Sequence, residues 1–293
     1  MDRYKKVVDE SNVSVDPIHI SSEIEKIIEK VPSLSTSEVY QKIFNCIDLT
    51  TLNTEDSQDS VTAFTQRVND FDNEYPQFRN VAAICVYSNF AEVVRTVLEV
   101  TGVRIAVVAG GFPSGQTFTA VKVADAALAV AEGANEVDVV LNVGMLRDGN
   151  YEDLCDELIE IKHTVKDAKL KVIIESGLLK TPEAIRNASL LAMWSEADFI
   201  KTSTGKVYPG ASLEAAYVMC QSIKEYHEKT GRKVGFKAAG GIRTAEEAVK
   251  YYAIVNDVLG DEWLNNDLFR IGASSLANNL LAAMLQEEEV KYF

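Results

Sequence analysis

Short apolar runs alternate with longer amphipathic stretches from about Lys42 to the end of the chain. Several runs are rich in β-branched residues and almost continuously apolar, which is typical of strands that are buried on both faces. The runs are IFNCIDL, NVAAICVY, RIAVVAG, EVDVVLNV, KVIIES, DFIKTST, VGFKAAGG and FRIGAS. The segments between them, such as SNFAEVVRTVLEVTG and YEDLCDELIEIKHTVKDA, have the spacing of helices that present one apolar face.

Eight strand–helix units in about 250 residues match the size of a (β/α)8 barrel. A doubly wound sheet is the alternative, but it would more often carry a glycine fingerprint after its first strand, where this chain has IDLTTLN and no GxGxxG. We therefore predict an α/β fold, a (β/α)8 TIM barrel over residues 36–293. Residues 1–35 lie outside the alternating pattern and are predicted to form an N-terminal helical extension, with SSEIEKIIEKV as one short capped helix.

Composition narrows the possible functions. The 293 residues carry a net charge of −15, which would repel nucleic-acid phosphates. The four cysteines (Cys46, Cys85, Cys155 and Cys220) form no CxxC pair, and we interpret them as small buried apolar residues in a reducing compartment. No signal peptide or membrane span is evident. We expect a cytoplasmic protein that binds neither nucleic acid nor membranes.

Ionisable residues interrupt five of the apolar runs. They are Asp48, Asp138, Glu175, Lys201 and Lys237. In a barrel, catalytic groups lie at the carboxyl ends of the strands, so these five side chains are the ones to examine for chemistry. A single buried ion pair would need no functional explanation, but five ionisable groups on five strands favour an active site over a purely structural role.

Lys201 and Lys237 fall on the consecutive sixth and seventh strands. Parallel strands lie about 5 Å apart, so the two amines are expected to be close enough to repel each other. Burial and a neighbouring cation both disfavour protonation, so the pKa of one lysine should fall. A neutral lysine amine attacks carbonyl carbons and forms a Schiff base. The alternative is that each lysine simply pairs with a carboxylate.

Other chemistries have little support in the sequence. The histidines His19, His163 and His227 form no HxH or HxxE motif, so a zinc-dependent aldolase or hydrolase is disfavoured and no metal or cofactor is expected. GxSxG is absent, which argues against a serine hydrolase.

Glycines and hydroxyls cluster after the last three strands, in TGK, GGIR and GASS. Glycine lets backbone N–H groups approach an anion, and TIM barrels often bind phosphate at the loops after strands seven and eight. We therefore predict a phosphate site built from Thr204, Gly205, Lys206, Gly240, Gly241, Arg243, Gly272, Ser274 and Ser275.

The segments EVDVVLNVG, KVIIESGLL, ADFIKTSTGK, VGFKAAGGIRTAEEA and RIGASSL resemble the deoxyribose-phosphate aldolase family of Schiff-base (class I) aldolases. The similarity runs from CIDLTTLN to about Leu285, and the two lysine segments are highly specific to this family. The resemblance implies a (β/α)8 fold and the reversible cleavage of 2-deoxy-D-ribose 5-phosphate to D-glyceraldehyde 3-phosphate and acetaldehyde.

The resemblance also implies roles for individual residues. Lys201 would form the Schiff base, Lys237 would lower its pKa, Asp138 would transfer protons with an ordered water, and Asp48 would lie near Lys237. In some relatives a C-terminal tail that ends in tyrosine folds over the site; this chain ends in EEEVKYF, with Tyr292 penultimate.

Two alternative functions stay open from the sequence. Another Schiff-base barrel enzyme, such as a transaldolase or a keto-acid lyase, would share the lysine but process other carbonyl compounds. A non-catalytic sugar-phosphate binding protein would share the glycine-rich loops but would not need paired lysines. The expected partner is a small sugar phosphate, and association as a homodimer is left open.

Overall fold

The computed structural model describes residues 3–293, and its centre is a closed barrel of eight parallel strands in sequential order. The barrel closes where the first strand pairs with the last, Asp48 opposite Gly272. The predicted (β/α)8 fold is confirmed. The strands are β1 (Ile47–Thr50), β2 (Ala83–Tyr87), β3 (Arg104–Ala109), β4 (Glu136–Val140), β5 (Lys169–Ile173), β6 (Phe199–Lys201), β7 (Gly235–Ala239) and β8 (Phe269–Ala273).

The strands are buried on both faces, and each face has its own composition. In β4 all five residues are buried. Val137 and Val139 belong to the main hydrophobic core, whereas Glu136 and Asp138 contact other charged side chains inside the barrel. Side chains alternate along a strand, so one charged and one apolar face emerge from a short run. This alternation brings charge into the barrel.

Helices surround the barrel and are interspersed with the strands along the chain. They are α1 (Arg3–Asp9), α2 (Pro17–Ile28), α3 (Val31–Leu34), α4 (Ser37–Phe44), α5 (Gln58–Glu74), α6 (Ala91–Val97), α7 (Thr119–Ala131), α8 (Val143–Arg147), α9 (Tyr151–Val165), α10 (Ser176–Leu179), α11 (Pro182–Trp194), α12 (Leu213–Thr230), α13 (Ala245–Leu259) and α14 (Ser275–Leu285). Several begin with side-chain caps, such as the reciprocal Thr244–Glu247 box of α13.

The described part of the N-terminal segment, residues 3–35, contains three helices, where the sequence predicted one. The predicted helix corresponds to α2, which begins earlier than expected because Asp16 caps it and Pro17 occupies its first turn. The helices α1 and α2 pack against α11, α12 and α13, and Ile20 and Ile27 are buried there. Glu225 on α12 accepts hydrogen bonds from Ser11 and Asn12. The segment is therefore an added layer on the barrel, and the boundary at residue 35 stays a prediction.

The C-terminal tail packs against α5 and α14. The ring of Tyr292 contacts Phe71 and Tyr75, and its hydroxyl donates to the carbonyl of Arg67 at 3.0 Å. Asn278 on α14 accepts the Tyr292 N–H, also at 3.0 Å. Tyr292 is thus anchored on the helical layer in this structure.

Two further observations concern the whole fold. All four cysteines are buried, in agreement with their interpretation as small apolar residues. Across residues 3–293, the helices are all too short or too polar to cross a bilayer.

Candidate active site

Four of the five ionisable residues singled out from the sequence meet inside the barrel. Asp48, Asp138, Lys201 and Lys237 come from β1, β4, β6 and β7 and are almost completely buried. Lys201 and Lys237 are direct neighbours in the register of β6 and β7, as predicted. Strand pairing therefore fixes their side chains at the same level of the barrel.

One carboxylate oxygen connects the two lysines. The Nζ atoms of Lys201 and of Lys237 each lie 2.8 Å from Oδ2 of Asp138. The two nitrogens are consequently separated by no more than twice that distance. Lys237 Nζ also donates to Oδ2 of Asp48. The expected proximity of the lysines to each other, and of Asp48 to Lys237, is present in the structure.

The surroundings of the two lysines shift their pKa values in opposite directions. Burial lowers the pKa of Lys201, and the Lys237 cation lowers it further, whereas Asp138 only partly offsets these effects. Burial disfavours the charged form of Lys237 too, but Asp138 and Asp48 together raise its pKa above the ordinary lysine value. Lys201 is thus the better nucleophile and Lys237 the persistent cation.

Three charged residues that sequence analysis missed extend this cluster down the barrel: Glu136, Lys171 and Arg270. Lys171 Nζ lies 2.6 Å from Glu136 Oε2, 3.0 Å from Asp48 Oδ2 and 3.1 Å from Asp138 Oδ1. Arg270 donates to both oxygens of Glu136 and to Asp48. A charged residue inside an almost apolar run was the available signal, most clearly the Glu136/Asp138 spacing of two.

The buried charges on the strands do not balance. Within residues 3–293, the fully buried acids of the strands are Asp48, Glu136 and Asp138, and the fully buried bases are Lys171, Lys201, Lys237 and Arg270. Several cations lower the pKa values of Asp48 and Asp138 despite their burial, so both carboxylates stay ionised. These three carboxylates therefore face four buried bases, and the partly exposed Arg104 also lies 3.2 Å from Glu136. Among the four buried bases, Lys201 is the one whose pKa is lowered.

The opposite wall of the barrel interior is apolar. Leu52, Ala83, Cys85, Ala106 and Val108 form a separate hydrophobic cluster, with Tyr87 and Phe112 packed against it. Val108 is the register partner of Asp138, so this wall begins directly beside the charged cluster. A low-polarity wall strengthens the electrostatic interactions of the charges that face it.

A cavity of about 250 Å³ opens above the lysines and has Lys201 in its lining. All nine residues of the predicted phosphate site line this cavity: Thr204, Gly205, Lys206, Gly240, Gly241, Arg243, Gly272, Ser274 and Ser275. A larger cavity of about 490 Å³ is lined by Asn45, Arg79, Asn266 and their neighbours, and it contains none of the predicted residues. The chemistry-bearing side chains therefore belong to the smaller cavity.

Close backbone packing explains the glycines of this cavity. Gly240 has φ +90°, and a Cβ there would lie 2.7 Å from Ser203 Oγ and 2.9 Å from Gly210 Cα. Gly272 lies inside β8, not in a loop, and a Cβ there would be 3.1 Å from Cε of Lys237. Gly240 lets the loops approach each other, whereas Gly272 leaves space for the Lys237 side chain.

Two cationic side chains and the start of a helix also line the cavity. Ser274 and Ser275 open α14, whose amino terminus favours negative charge. Lys206 and Arg243 contribute side chains to the lining, and Lys206 Nζ donates to the carbonyl of Leu52. This combination can hold an anionic group a short distance from the Lys201 amine.

Glu175, the fifth ionisable residue singled out from the sequence, does not join the lysines. Its carboxylate accepts hydrogen bonds from the backbone N–H and the hydroxyl of Thr204. Glu175 follows β5 in a left-handed backbone conformation, which turns its side chain toward the loop after β6. As for metals, no group of three or more His, Cys, Asp or Glu side chains within residues 3–293 is arranged to hold an ion.

Comparison with known proteins matches this chain to a family. The model of the DeoC/LacD family aldolases matches residues 43–281. A relative from Caenorhabditis elegans is 42% identical over 273 residues, 92% of this chain and 89% of the relative. The deoxyribose-phosphate aldolase of Mus musculus is 40% identical over 255 residues, 82% of this chain and 78% of that protein.

A solved structure described as QR15, an aldolase, has a TM-score of 0.68 and 29% identity, and the match covers 83% of this chain and 96% of that one. Family model, relatives and fold agree with one another. The chain belongs to the DeoC/LacD family of aldolases.

Proposed function

We propose that this aldolase reversibly cleaves 2-deoxy-D-ribose 5-phosphate into D-glyceraldehyde 3-phosphate and acetaldehyde through a Schiff base on Lys201. The observation that carries the proposal is the Lys201 amine, whose pKa is lowered, in the lining of a cavity with glycines, hydroxyls and two cations at its mouth. The mouse relative is named deoxyribose-phosphate aldolase, which supports the same substrate.

The unprotonated Lys201 amine attacks C1 of the open-chain sugar. The carbinolamine loses water to give a protonated imine, and its nitrogen accepts the electron pair of the C2–C3 bond as that bond breaks. The C3 hydroxyl loses its proton and becomes the aldehyde of glyceraldehyde 3-phosphate. The remaining enamine gains a proton at C2, and water releases acetaldehyde and restores the amine.

Asp138 is positioned to transfer these protons, because its Oδ2 lies 2.8 Å from Lys201 Nζ. Neighbouring lysines lower its pKa despite burial, so it is available as a carboxylate base. Such general acid–base help is worth about 10²–10⁴-fold in rate. Lys237 contributes a fixed positive charge that keeps the pKa of Lys201 low, and Asp48 holds Lys237 in place.

The phosphate of the substrate would occupy the cavity mouth. Gly205, Gly240, Gly241, Ser274 and Ser275 offer backbone and hydroxyl donors, and Lys206 and Arg243 offer charge. Thr204 also lines the mouth, but its N–H and hydroxyl both donate to Glu175. Gly272 contributes space for Lys237 in this scheme, not a donor.

Borohydride trapping tests the proposal. With acetaldehyde present, borohydride should add one ethyl group to Lys201 and abolish activity, and mass spectrometry of peptides should locate the group. A modification on Lys237 would reverse the assigned roles. Trapping by deoxyribose 5-phosphate but not by keto sugars would separate this reaction from that of a transaldolase. No trapping with any aldehyde would indicate a binding protein.

Two further expectations, on localisation and on assembly, accompany the proposal. The acidic composition and the cysteine pattern favour the cytoplasm, and sedimentation would test the homodimer that the sequence left open.

A further inference from the structure

We propose that Glu175 is a positioning residue, which acts through Thr204 to hold the cavity loop at Thr204–Lys206 in the geometry that binds the substrate phosphate. The inference rests on the proposed function, since it assigns the phosphate to this loop. Glu175 contacts neither lysine of the cluster and takes no part in bond making.

The backbone at Glu175 is held in an uncommon conformation. Its φ is 54° and its ψ is 58°, a left-handed region that a residue with a side chain seldom occupies. Two neighbouring hydrogen bonds fix it: Ser176 N–H donates to the carbonyl of Thr202 at 2.8 Å, and Leu178 N–H donates to the carbonyl of Glu175 at 2.9 Å. Strain of this kind persists only where the surrounding structure enforces it, and it clusters at functional sites.

The left-handed turn aims a buried carboxylate at one residue of the cavity. Glu175 is 3% exposed. Its Oε1 accepts the Thr204 N–H at 3.2 Å and its Oε2 accepts the Thr204 hydroxyl at 2.7 Å. Thr204 Oγ1 in turn accepts the N–H of Lys206 at 3.3 Å. A short chain of hydrogen bonds therefore runs from Glu175 to the backbone of Lys206.

The other hydroxyls of this segment anchor it from the opposite side. Thr202 and Ser203 both donate to the carbonyl of Ala239 in β7, at 3.0 and 2.6 Å. The segment that follows Lys201 is thus tied to β7 by two hydroxyls and to the end of β5 by Thr204. Removing the hydrogen bonds of Glu175 would free Thr204–Lys206, whereas the hydrogen bonds of Thr202 and Ser203 next to Lys201 would stay intact.

Removing Glu175 is expected to change phosphate affinity in the direction opposite to that expected from its charge alone. A carboxylate near an anion site repels phosphate, so removing a charge that had no positioning role would strengthen phosphate binding. If Glu175 positions the loop, its removal weakens phosphate binding instead, and it leaves reaction of an unphosphorylated sugar nearly unchanged because Lys201 and Asp138 are untouched.

The experiment compares Glu175→Ala with Glu225→Ala. Glu225 is a matched control, since its buried carboxylate also accepts one backbone N–H and one hydroxyl, from Asn12 and Ser11 on the N-terminal segment. We expect Glu175→Ala to raise the KM for deoxyribose 5-phosphate and the Kd for inorganic phosphate about tenfold. The kcat/KM for unphosphorylated deoxyribose should stay within about twofold, Glu175→Gln should restore part of the loss, and Glu225→Ala should leave phosphate binding unchanged.

Equal losses on both sugars, or phosphate binding that is unchanged or tighter in Glu175→Ala, would overturn the inference. If that variant does not fold, Thr204→Val removes the linking hydroxyl and should show the same selective loss. The inorganic phosphate titration keeps the two proposals separate. A wild-type protein that binds phosphate through a Glu175-dependent loop but does not cleave deoxyribose 5-phosphate would refute the proposed substrate and support the positioning role.

Discussion

Lys201 and Lys237 share one hydrogen-bond acceptor, because the Nζ of each lies 2.8 Å from Oδ2 of Asp138. The other carboxylate contacts of the two lysines differ. Lys237 has a second carboxylate in Asp48, whereas Asp138 is the only carboxylate in hydrogen-bond or ion-pair contact with Lys201 within residues 3–293. The difference of one carboxylate explains why the pKa of Lys201 falls and that of Lys237 rises.

Replacing Lys237 should therefore raise the pKa of Lys201. Lys237→Leu removes a cation next to Lys201 and leaves Asp138 to interact with Lys201 more strongly; both changes favour the protonated amine. We expect the acid limb of the kcat/KM profile to move to higher pH, with activity lost at neutral pH and partly recovered in alkali. Steady-state rates measured across the pH range would show the shift.

Lys122→Leu provides the control for that experiment. Lys122 is also buried and ion-paired, with Glu157 at 2.6 Å, but it lies outside the barrel interior on α7. This variant should lose stability without moving the acid limb. A Lys237→Leu profile with an unmoved acid limb would contradict the electrostatic coupling.

Lys171 should be needed for stability as well as for the charge balance. It contacts Asp48, Glu136 and Asp138, and Lys171→Met would leave three buried carboxylates with one cation fewer. Breaking a buried ion pair in this way costs about 3–5 kcal/mol of unfolding free energy. Urea denaturation would measure the loss, and adding Glu136→Gln should recover part of it. No recovery in the double variant would mean that Lys171 acts mainly through packing.

Ser275→Asp tests the phosphate site. Ser275 lines the cavity at the start of α14, so an aspartate there places a carboxylate where the phosphate would bind. Cleavage of deoxyribose 5-phosphate should fall about a hundredfold or more, whereas the slower reaction of deoxyribose should be nearly retained. Ser212→Asp makes the same change at the start of α12, outside this cavity, and should leave the activity on both sugars unchanged. Equal losses of activity on both sugars would mean that Ser275 supports the fold and does not bind the phosphate.

Acid should destabilise the barrel from about pH 4 downward. Asp48 and Asp138 have pKa values below their ordinary value of 3.8, so the unfolded chain takes up these protons first as the pH falls. The stability from these carboxylates is complete above that value and is lost below it. Urea midpoints between about pH 2 and 6 should decline. The decline should be shallower for Asp48→Asn than for Asp59→Asn, an exposed control; equal slopes would exclude a large contribution from Asp48.

The barrel was predictable from sequence because each strand is a short, strongly apolar run. The pair of Lys201 and Lys237 was predictable for a related reason, since consecutive parallel strands must be neighbours. Lys171 and Arg270 were missed because each stands at or near the start of its apolar run in the sequence, where a charge is usually solvated. Only the register, which places Lys171 opposite Asp138, shows that it points inward.

The N-terminal segment and Glu175 show a different limit of prediction from sequence. The helix α1 is short, and it buries Tyr4 and Val8 against the helical layer. Glu175 was recognised as an ionisable group in a strand, but its direction depends on one left-handed residue that local sequence preferences disfavour. Tertiary contacts decide both features.

The surplus of one base over the acids inside the barrel has a consequence for enzyme design. A single lysine transplanted into another barrel would be buried but would lack the neighbouring Lys237 cation, which here lowers the pKa of Lys201 further. Here Lys171, Lys237 and Arg270 already pair with Asp48, Glu136 and Asp138, so Asp138 compensates a proton on Lys201 only in part. A graft would therefore have to carry all seven side chains, because the charges of the other six, together with burial, set the pKa of Lys201.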